Sequence, residues 1–449
     1  MKNQIKINHR INPFNKIINV NGDKSISIRC VLLASQAIGT SKIYNLLESE
    51  DVINALKSIS KLGIKYKKFK RYYEIKGFGL SGFNDKKKIK LNAGNSGTFA
   101  RLILGLLVNF KNTVTLVGDK SLSKRDFSRI TEPLKKFGAK LSANKGRLPV
   151  KITGSEFLRP VEYNETRGSA QCKSAVMLAS LKTPGLTIIK AKKSRNHTEL
   201  LLKYLNIPIK ISPKYNHDYF KIKGENNFKG FDYVVPGDIS SSSFFIILII
   251  LSKKSKLIIK NVNINQTRTG IIKILKKINL NIIFKNKKFY KGEMIADMII
   301  KSTTKIKSIK CPKKMNSSAI DEFLVIFLLA SKANGISSFE DLGELNKKES
   351  PRLNIAIKFL KMIGIKVERK NDDIRIHGNP HLNLSGNYKI KNFRKDHRIF
   401  MMSCVAALTL GGKWEIHDKD SVYTSFPNFF KIIKQLGGKI NWKKKKHNN

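Results

Sequence analysis

Leu62-Gly63-Ile64 closes an amphipathic helix on a short apolar strand, and the same join returns five times: at Phe137-Gly138-Ala139, Leu205-Asn206-Ile207, Ile278-Asn279-Leu280, Ile363-Gly364-Ile365 and Leu436-Gly437-Gly438. The joins recur about every 75 residues, too long for a solenoid repeat and long enough for a small unit of strands and helices. Each unit reads as a polar motif, an apolar helix, a strand pair, a second amphipathic helix and the closing strand. The apolar helices are expected at about 24–37, 97–108, 169–181, 240–251, 320–333 and 397–410. Leu, Ile, Phe and Val surround most of them, which marks helices buried on every side. In the second helices apolar residues recur only at helical spacing, as Ile130, Leu134 and Phe137 do in 128–137. Buried helices covered by short strands predict an α/β chain with helices inside and sheets outside.

A chain of 449 residues is too long for one core and suits two domains. On pattern alone the seam is expected at Val235-Pro236-Gly237-Asp238, just before the fourth apolar helix. Hydrophobic content of 41% with 27% charged residues is that of a soluble globular protein. The longest apolar run, 244–251, is far short of the ~20 residues that span a bilayer. MKNQIKINHR carries no apolar signal core, so a cytoplasmic location is expected. Cys30, Cys172, Cys311 and Cys404 show neither CxxC spacing nor histidines at metal-like intervals, which argues for no disulfide and no metal.

The formal charge of +55 suggests a nucleic-acid partner, since clustered Lys and Arg bind phosphates through counterion release. The excess is nearly all Lys, however, spread along the whole chain and accompanied by abundant Asn and Ile. AT-rich codons supply those three residues, so base composition accounts for the charge without a partner. No RNA- or DNA-binding motif and no aromatic–basic interleaving is visible. Neither a specific nucleic acid nor a membrane is expected as partner, and the lysine run 443–446 reads as a solvated, frayed tail.

Chemistry-bearing residues gather where the apolar helices start. In 22–29, Lys24, Ser25 and Arg29 open a helix, whose free N–H groups and positive dipole end favour an anion. The same residues would also serve a capped helix with two solvated cations. Residues 92–101, NAGNSGTFAR, form a glycine-rich turn that admits close backbone approach or is an ordinary turn. Arg125 precedes a helix, Ser169-Ala170-Gln171 opens the next buried one, and Arg195 precedes its amphipathic partner. Asp321 and Glu322 begin an extremely apolar helix, where a carboxylate is either an N-cap or, in a dry cleft lined by cations, a base. Lys348, Glu349 and Arg352, then Asp396, His397 and Arg398, complete an inventory suited to binding several anionic groups and moving protons between them.

Ten stretches together resemble the 5-enolpyruvylshikimate-3-phosphate (EPSP) synthases, or 3-phosphoshikimate 1-carboxyvinyltransferases. They are GDKSISIR, NAGNSGTFAR, KRDFSRI, SAQCKSAVMLA, SRNHTE, VPGDISSSSF, IDEF, KKESPR, DHRIFM and TSFP, in the family's order across essentially the whole chain. GDKS and LLESEDV are more similar to the bacterial subgroup known for glyphosate-tolerant members. The resemblance implies the two-domain enolpyruvyl transferase fold, an inside-out α/β barrel of six βαβαββ repeats, three per domain. It divides the chain into 22–237 and 1–21 plus 238–449, with the active site in the interdomain cleft. The implied reaction, on the shikimate pathway to chorismate and the aromatic amino acids, transfers the enolpyruvyl group of phosphoenolpyruvate to the 5-hydroxyl of shikimate-3-phosphate. It releases phosphate, needs no metal or organic cofactor, and is carried out by a monomer.

By matching motif, Lys24, Ser25, Arg29, Ser169, Ala170, Gln171, Arg195, Asp321 and Lys348 would hold shikimate-3-phosphate. Lys24, Gly97, Arg125, Gln171, Arg352 and Arg398 would surround phosphoenolpyruvate. Asp321 would take the proton of the attacking hydroxyl, and Glu349, with Lys24, would serve protonation of the methylene carbon. Pro351, Asn196, Asp126 and Leu324 depart from the family pattern without touching a catalytic position. Gly97 stands where tolerant members carry Ala, which implies glyphosate sensitivity.

Two related activities and one unrelated one compete. A UDP-N-acetylglucosamine enolpyruvyl transferase typically has Lys-Asn where this chain has Lys24-Ser25, and a loop cysteine that 122–129 lacks. RNA 3′-phosphate cyclases share related repeats, but His417 lacks their histidine context. A non-catalytic nucleic-acid binder would suit the charge, yet Lys24, Arg29, Asp321, Glu349 and Arg398 are all intact.

Overall fold

The computed structural model describes residues 3–84, 88–280 and 282–442, so the lysine run 443–446 lies outside the described residues. Six buried helices recur along the chain: α1 (Lys24–Ala34), α2 (Gly97–Leu106), α3 (Ala170–Ser180), α4 (Ile239–Leu251), α5 (Phe323–Ala330) and α6 (His397–Leu410). Every residue of α5 and every residue of α4 before Leu251 is buried, as an apolar surface on all sides requires.

The join that marks each repeat has a backbone cause. Gly63, Gly138, Asn206, Asn279, Gly364 and Gly437 all have positive φ, between 56° and 111°. Each is the left-handed residue that stops an amphipathic helix and turns the chain toward the next strand. Glycine adopts that conformation without penalty and asparagine at little cost, which is why only these two residue types stand at the centre of the motif.

The second repeat shows the unit complete. Strand Ile89–Asn92 leads to α2, then strand Val114–Val117, helix Ser128–Lys136, and the hairpin Lys140–Asn144 with Arg147–Thr153. The first two strands are parallel, and Arg147–Thr153 pairs antiparallel with both Val114–Val117 and Lys140–Asn144. This order corrects the sequence reading, which put the strand pair between the helices. Residues 35–49 of the first repeat hold only one strand there, the seven-residue Ile38–Tyr44, and the hairpin follows the second helix.

The same sheet order recurs with strands borrowed from distant sequence. Asp232–Val234 lies parallel to Ile38–Tyr44 as the first strand of repeat one. Asn15–Asn19 does the same for Lys256–Asn263 in repeat four. In repeat six Gln4–Ile7 pairs antiparallel with Gly411–His417, and Asn441 bridges to Lys6.

The helix expected at 320–333 is broken in the structure. A short helix, Asn316–Ala319, is followed by a turn at 320–322 before α5 begins at Phe323. The chain forms two compact units, one of residues 22–236 with 289–293 and the other of the remaining described residues. Each has its own apolar core, built around α1–α3 in the first and α4–α6 in the second.

Candidate active site

In the unit that contains α1–α3, polar side chains concentrate at the helix starts because those N–H groups lack intrahelical partners. Asp23 caps α1, its carboxylate accepting from the Ile26 N–H at 3.0 Å. Lys24 follows, with its ammonium 3.1 Å from Asp51 Oδ2; Asp51 lies in the first turn of the helix Glu50–Lys61. Arg29, only 4% exposed, donates to Thr198 Oγ1 at 2.7 Å, to the Ser25 carbonyl at 2.9 Å and to Ser174 Oγ at 3.1 Å. Its guanidinium therefore ties Ser25 to α3 and to the helix His197–Tyr204.

Ser169 caps α3 and accepts from the Cys172 N–H at 3.3 Å, while its own N–H donates to Glu165 at 2.9 Å. Ala170 and Gln171 form the first turn. Gln171 donates to Thr98 Oγ1 at 2.9 Å and accepts from Arg101 at 2.8 Å, and the same Arg101 nitrogen reaches the Gly97 carbonyl at 3.3 Å. Arg125 donates to Asn95 Oδ1 at 3.3 Å. A methyl group on Gly97 would stand 2.8 Å from Arg101 Nη1 and 3.0 Å from Arg125 Nη1, so two cations crowd this glycine. Arg195 is half-buried, two residues before the helix His197–Tyr204.

The structure thus groups Gly97, Gln171 and Arg125, and separately Ser25 and Arg29, while Lys24 faces Asp51. Asp51 and Arg101 were missed as site residues by the sequence reading. Arg101 had a signal: it closes the NAGNSGTFAR stretch four residues after Gly97, on the same helical face. Burial and the neighbouring charge of Arg125 lower Arg101 to about 10. Asp51 had its place at a helix start and within the LLESEDV stretch.

In the other unit the hub is Arg352, the first residue of the helix Arg352–Met362 and only 1% exposed. It donates to Asp396 Oδ2 at 2.9 Å and to Glu349 Oε2 at 2.5 Å, and lies 3.7 Å from Asp321 Oδ1. Arg398 donates to the Asp321 carbonyl at 2.8 Å, with its other terminal nitrogen 3.9 Å from Oδ2. Asp396 is fully buried; it caps α6 by accepting from the Arg398 N–H at 2.9 Å and accepts from Ser350 Oγ at 2.8 Å. Burial opposes the charge of both Arg352 and Asp396, yet their attraction outweighs it, raising the arginine and lowering the carboxyl. Lys348 is half-buried beside Glu349.

Asp321 and Glu322 divide their tasks. Glu322 is fully buried and accepts from Ser240 Oγ, which in turn accepts from Arg268 at 2.7 Å. Asp321 stands one residue before Glu322, the N-cap residue of α5, and keeps 16% of its side chain exposed; Glu349 keeps 19%. The arrangement presents two partly exposed carboxylates, oriented by a buried guanidinium, beside a second arginine. Such a set can take and return protons next to bound anions.

The four departures are accommodated locally. Pro351 stands at the N-cap, where its carbonyl accepts from the Ile355 N–H at 3.0 Å and no amide donor is needed. Asp126 accepts from the Ser128 N–H at 2.8 Å and its hydroxyl at 2.5 Å. Asn196 is the N-cap of His197–Tyr204, and Leu324 packs inside α5. All four cysteines are free and buried. Among the described residues no three His, Cys, Asp or Glu side chains are placed to hold a metal, and no helix is long and apolar enough to cross a membrane.

The family model described as EPSP synthase (3-phosphoshikimate 1-carboxyvinyltransferase) matches residues 9–433. A 3-phosphoshikimate 1-carboxyvinyltransferase from Ruthia magnifica subsp. Calyptogena magnifica is 39% identical over 96% of this chain and 97% of its own. One from Zymomonas mobilis subsp. mobilis is 36% identical over 97% and 96%. Among solved structures, EPSP synthase from Acinetobacter baumannii superposes with a TM-score of 0.86 at 33% identity, covering 98% of this chain and 100% of that one. The enolpyruvyl transferase NikO from Streptomyces tendae shares the fold, with a TM-score of 0.77 at 14% identity over 99% of each chain. The chain belongs to the EPSP synthase family and has its two-domain α/β enolpyruvyl transferase fold.

Proposed function

We propose that this chain is a 3-phosphoshikimate 1-carboxyvinyltransferase, moving the carboxyvinyl group of phosphoenolpyruvate onto the 5-hydroxyl of shikimate-3-phosphate. Beyond family membership, the observation that carries the reading is the Arg352 hub, which holds two partly exposed carboxylates ready for proton transfer. Asp321 takes the hydroxyl proton as the oxygen attacks C2 of phosphoenolpyruvate, while Glu349, with Lys24, serves protonation of the methylene carbon. Loss of that proton and of phosphate from the adduct yields the enol ether.

Ser25, Arg29, Ser169, Ala170, Gln171, Arg195, Asp321 and Lys348 bind shikimate-3-phosphate, with Lys24. Gly97, Arg125, Gln171, Arg352 and Arg398 bind phosphoenolpyruvate, again with Lys24. The enzyme acts as a cytoplasmic monomer on two small, multiply anionic substrates, without a specific nucleic-acid partner.

The test is phosphate release from phosphoenolpyruvate that depends on shikimate-3-phosphate. Asp321→Ala and Glu349→Ala should each abolish it while circular dichroism stays unchanged. Near-parental turnover in either variant would remove that residue from its role.

A further inference from the structure

Helix α3 and the helix His197–Tyr204 carry, at or just before their starts, Ser169–Gln171 and Arg195, all proposed above to hold shikimate-3-phosphate. Two adjacent rungs join these helices. The first is neutral: Ser174 Oγ lies 2.7 Å from Thr198 Oγ1, and Arg29 forks onto both hydroxyls. The second is ionic and is made by their immediate sequence neighbours. Lys173 and Glu199 form an ion pair whose side chains are 1% and 2% exposed. The Lys173 ammonium also stands 5.2 Å from the centre of the Phe220 ring.

An ion pair sealed at this depth is not explained by stability. Taking each charge out of water is costly, and apolar residues of similar volume often do as well or better in such positions. What a charge pair adds over an apolar contact is one preferred register. Here that register decides whether Ser174 and Thr198 meet, and with them the two hydroxyls that aim Arg29.

We propose that Lys173–Glu199 is a positioning pair for shikimate-3-phosphate: it locks α3 against His197–Tyr204 so that Arg29, Ser169 and Arg195 face one ligand. Neither side chain touches substrate. The inference rests on the function proposed above, but its first readout, shikimate-3-phosphate binding by calorimetry, needs no turnover.

The experiment uses the full chain and the double variant Lys173→Met/Glu199→Leu, which removes both charges while keeping volume. It should melt cooperatively at or above the parental temperature. Its Kd and KM for shikimate-3-phosphate should rise about tenfold, with kcat and the KM for phosphoenolpyruvate within about twofold of parental. The reversed pair Lys173→Glu/Glu199→Lys should bind shikimate-3-phosphate more tightly than the apolar variant. Parental affinity in the folded apolar variant overturns the proposal, as does an equal loss for both substrates. Failure of that variant to fold also overturns it, because the pair would then be a stability element. A parent chain that does not bind shikimate-3-phosphate sinks the functional reading itself, a result distinct from any of these.

Discussion

Asp396 shows how much one buried carboxylate controls. It caps α6, accepts from Ser350 and holds Arg352, whose other nitrogens face the two proposed proton carriers. Its folded pKa is depressed below the ordinary 3.8, so its contribution to stability is complete above that value and lost as pH falls through the folded one. Asp396→Asn should therefore flatten the acid limb of a melting-temperature profile taken from neutral pH downward. It should also lower kcat by about a hundredfold, because Arg352 loses the partner that fixes its plane. An unchanged acid limb would show that this pair does not govern acid unfolding.

A second residue-scale prediction concerns Gly97. Its missing methyl leaves the tips of Arg101 and Arg125 room that a Cβ would take at 2.8 and 3.0 Å. Both atoms are the far ends of long side chains, so Gly97→Ala should fold normally but displace Arg101 and, with it, Arg125, which is proposed to meet phosphoenolpyruvate. The expected outcome is a KM for phosphoenolpyruvate raised several-fold, with the KM for shikimate-3-phosphate nearly unchanged. Parental chain should be inhibited well below millimolar glyphosate and the variant much less; little inhibition of the parental chain at millimolar glyphosate would overturn the expected sensitivity.

Elements were readable where a backbone constraint restricts residue choice. The six helix-to-strand joins showed themselves because each carries Gly or Asn at its left-handed residue, the two types that take that conformation most cheaply. The break at 320–322 was hidden, because what engages Asp321 and Glu322 lies far away in sequence, at Arg352, Arg398 and Ser240. Periodicity cannot report such partners. The same limit hid the ion pair of Asp51, and it hid the borrowed strands from periodicity; only the family resemblance implied that 1–21 joins the second half of the chain. Gln4–Ile7 supplies the sixth repeat with the antiparallel partner of Gly411–His417, burying Ile5 and Ile7 completely. At ~1.5–3 kcal/mol for each buried aliphatic side chain, removing residues 1–8 should cost roughly 3–6 kcal/mol. Thermal melts should shift down accordingly, and dye binding should report the uncovered face of α6. A truncated chain that melts like the parent would mean that this strand contributes no net stability.

At the scale of the whole molecule, the charge of +55 was the loudest signal in the sequence and the least informative about the site. The cations that matter were legible only through their motifs, and several are already engaged: Lys24 by Asp51, and Arg352 by Asp396, Glu349 and Asp321. The diffuse lysine excess should act on substrates at long range instead. Both proposed substrates are multiply anionic, so a strongly positive surface raises their encounter rate without touching the chemical step. Screening lengths shrink from about 30 Å at 0.01 M salt to about 8 Å at 0.15 M, and steering shrinks with them. Over that range kcat/KM for either substrate should fall several-fold while kcat holds. Retention on heparin should weaken over the same range, as expected of an interaction without a specific site. A kcat/KM indifferent to salt would mean that the surface lysines give the enzyme no kinetic advantage, whereas a parallel fall in kcat would place the salt-sensitive charges at the Arg352 hub.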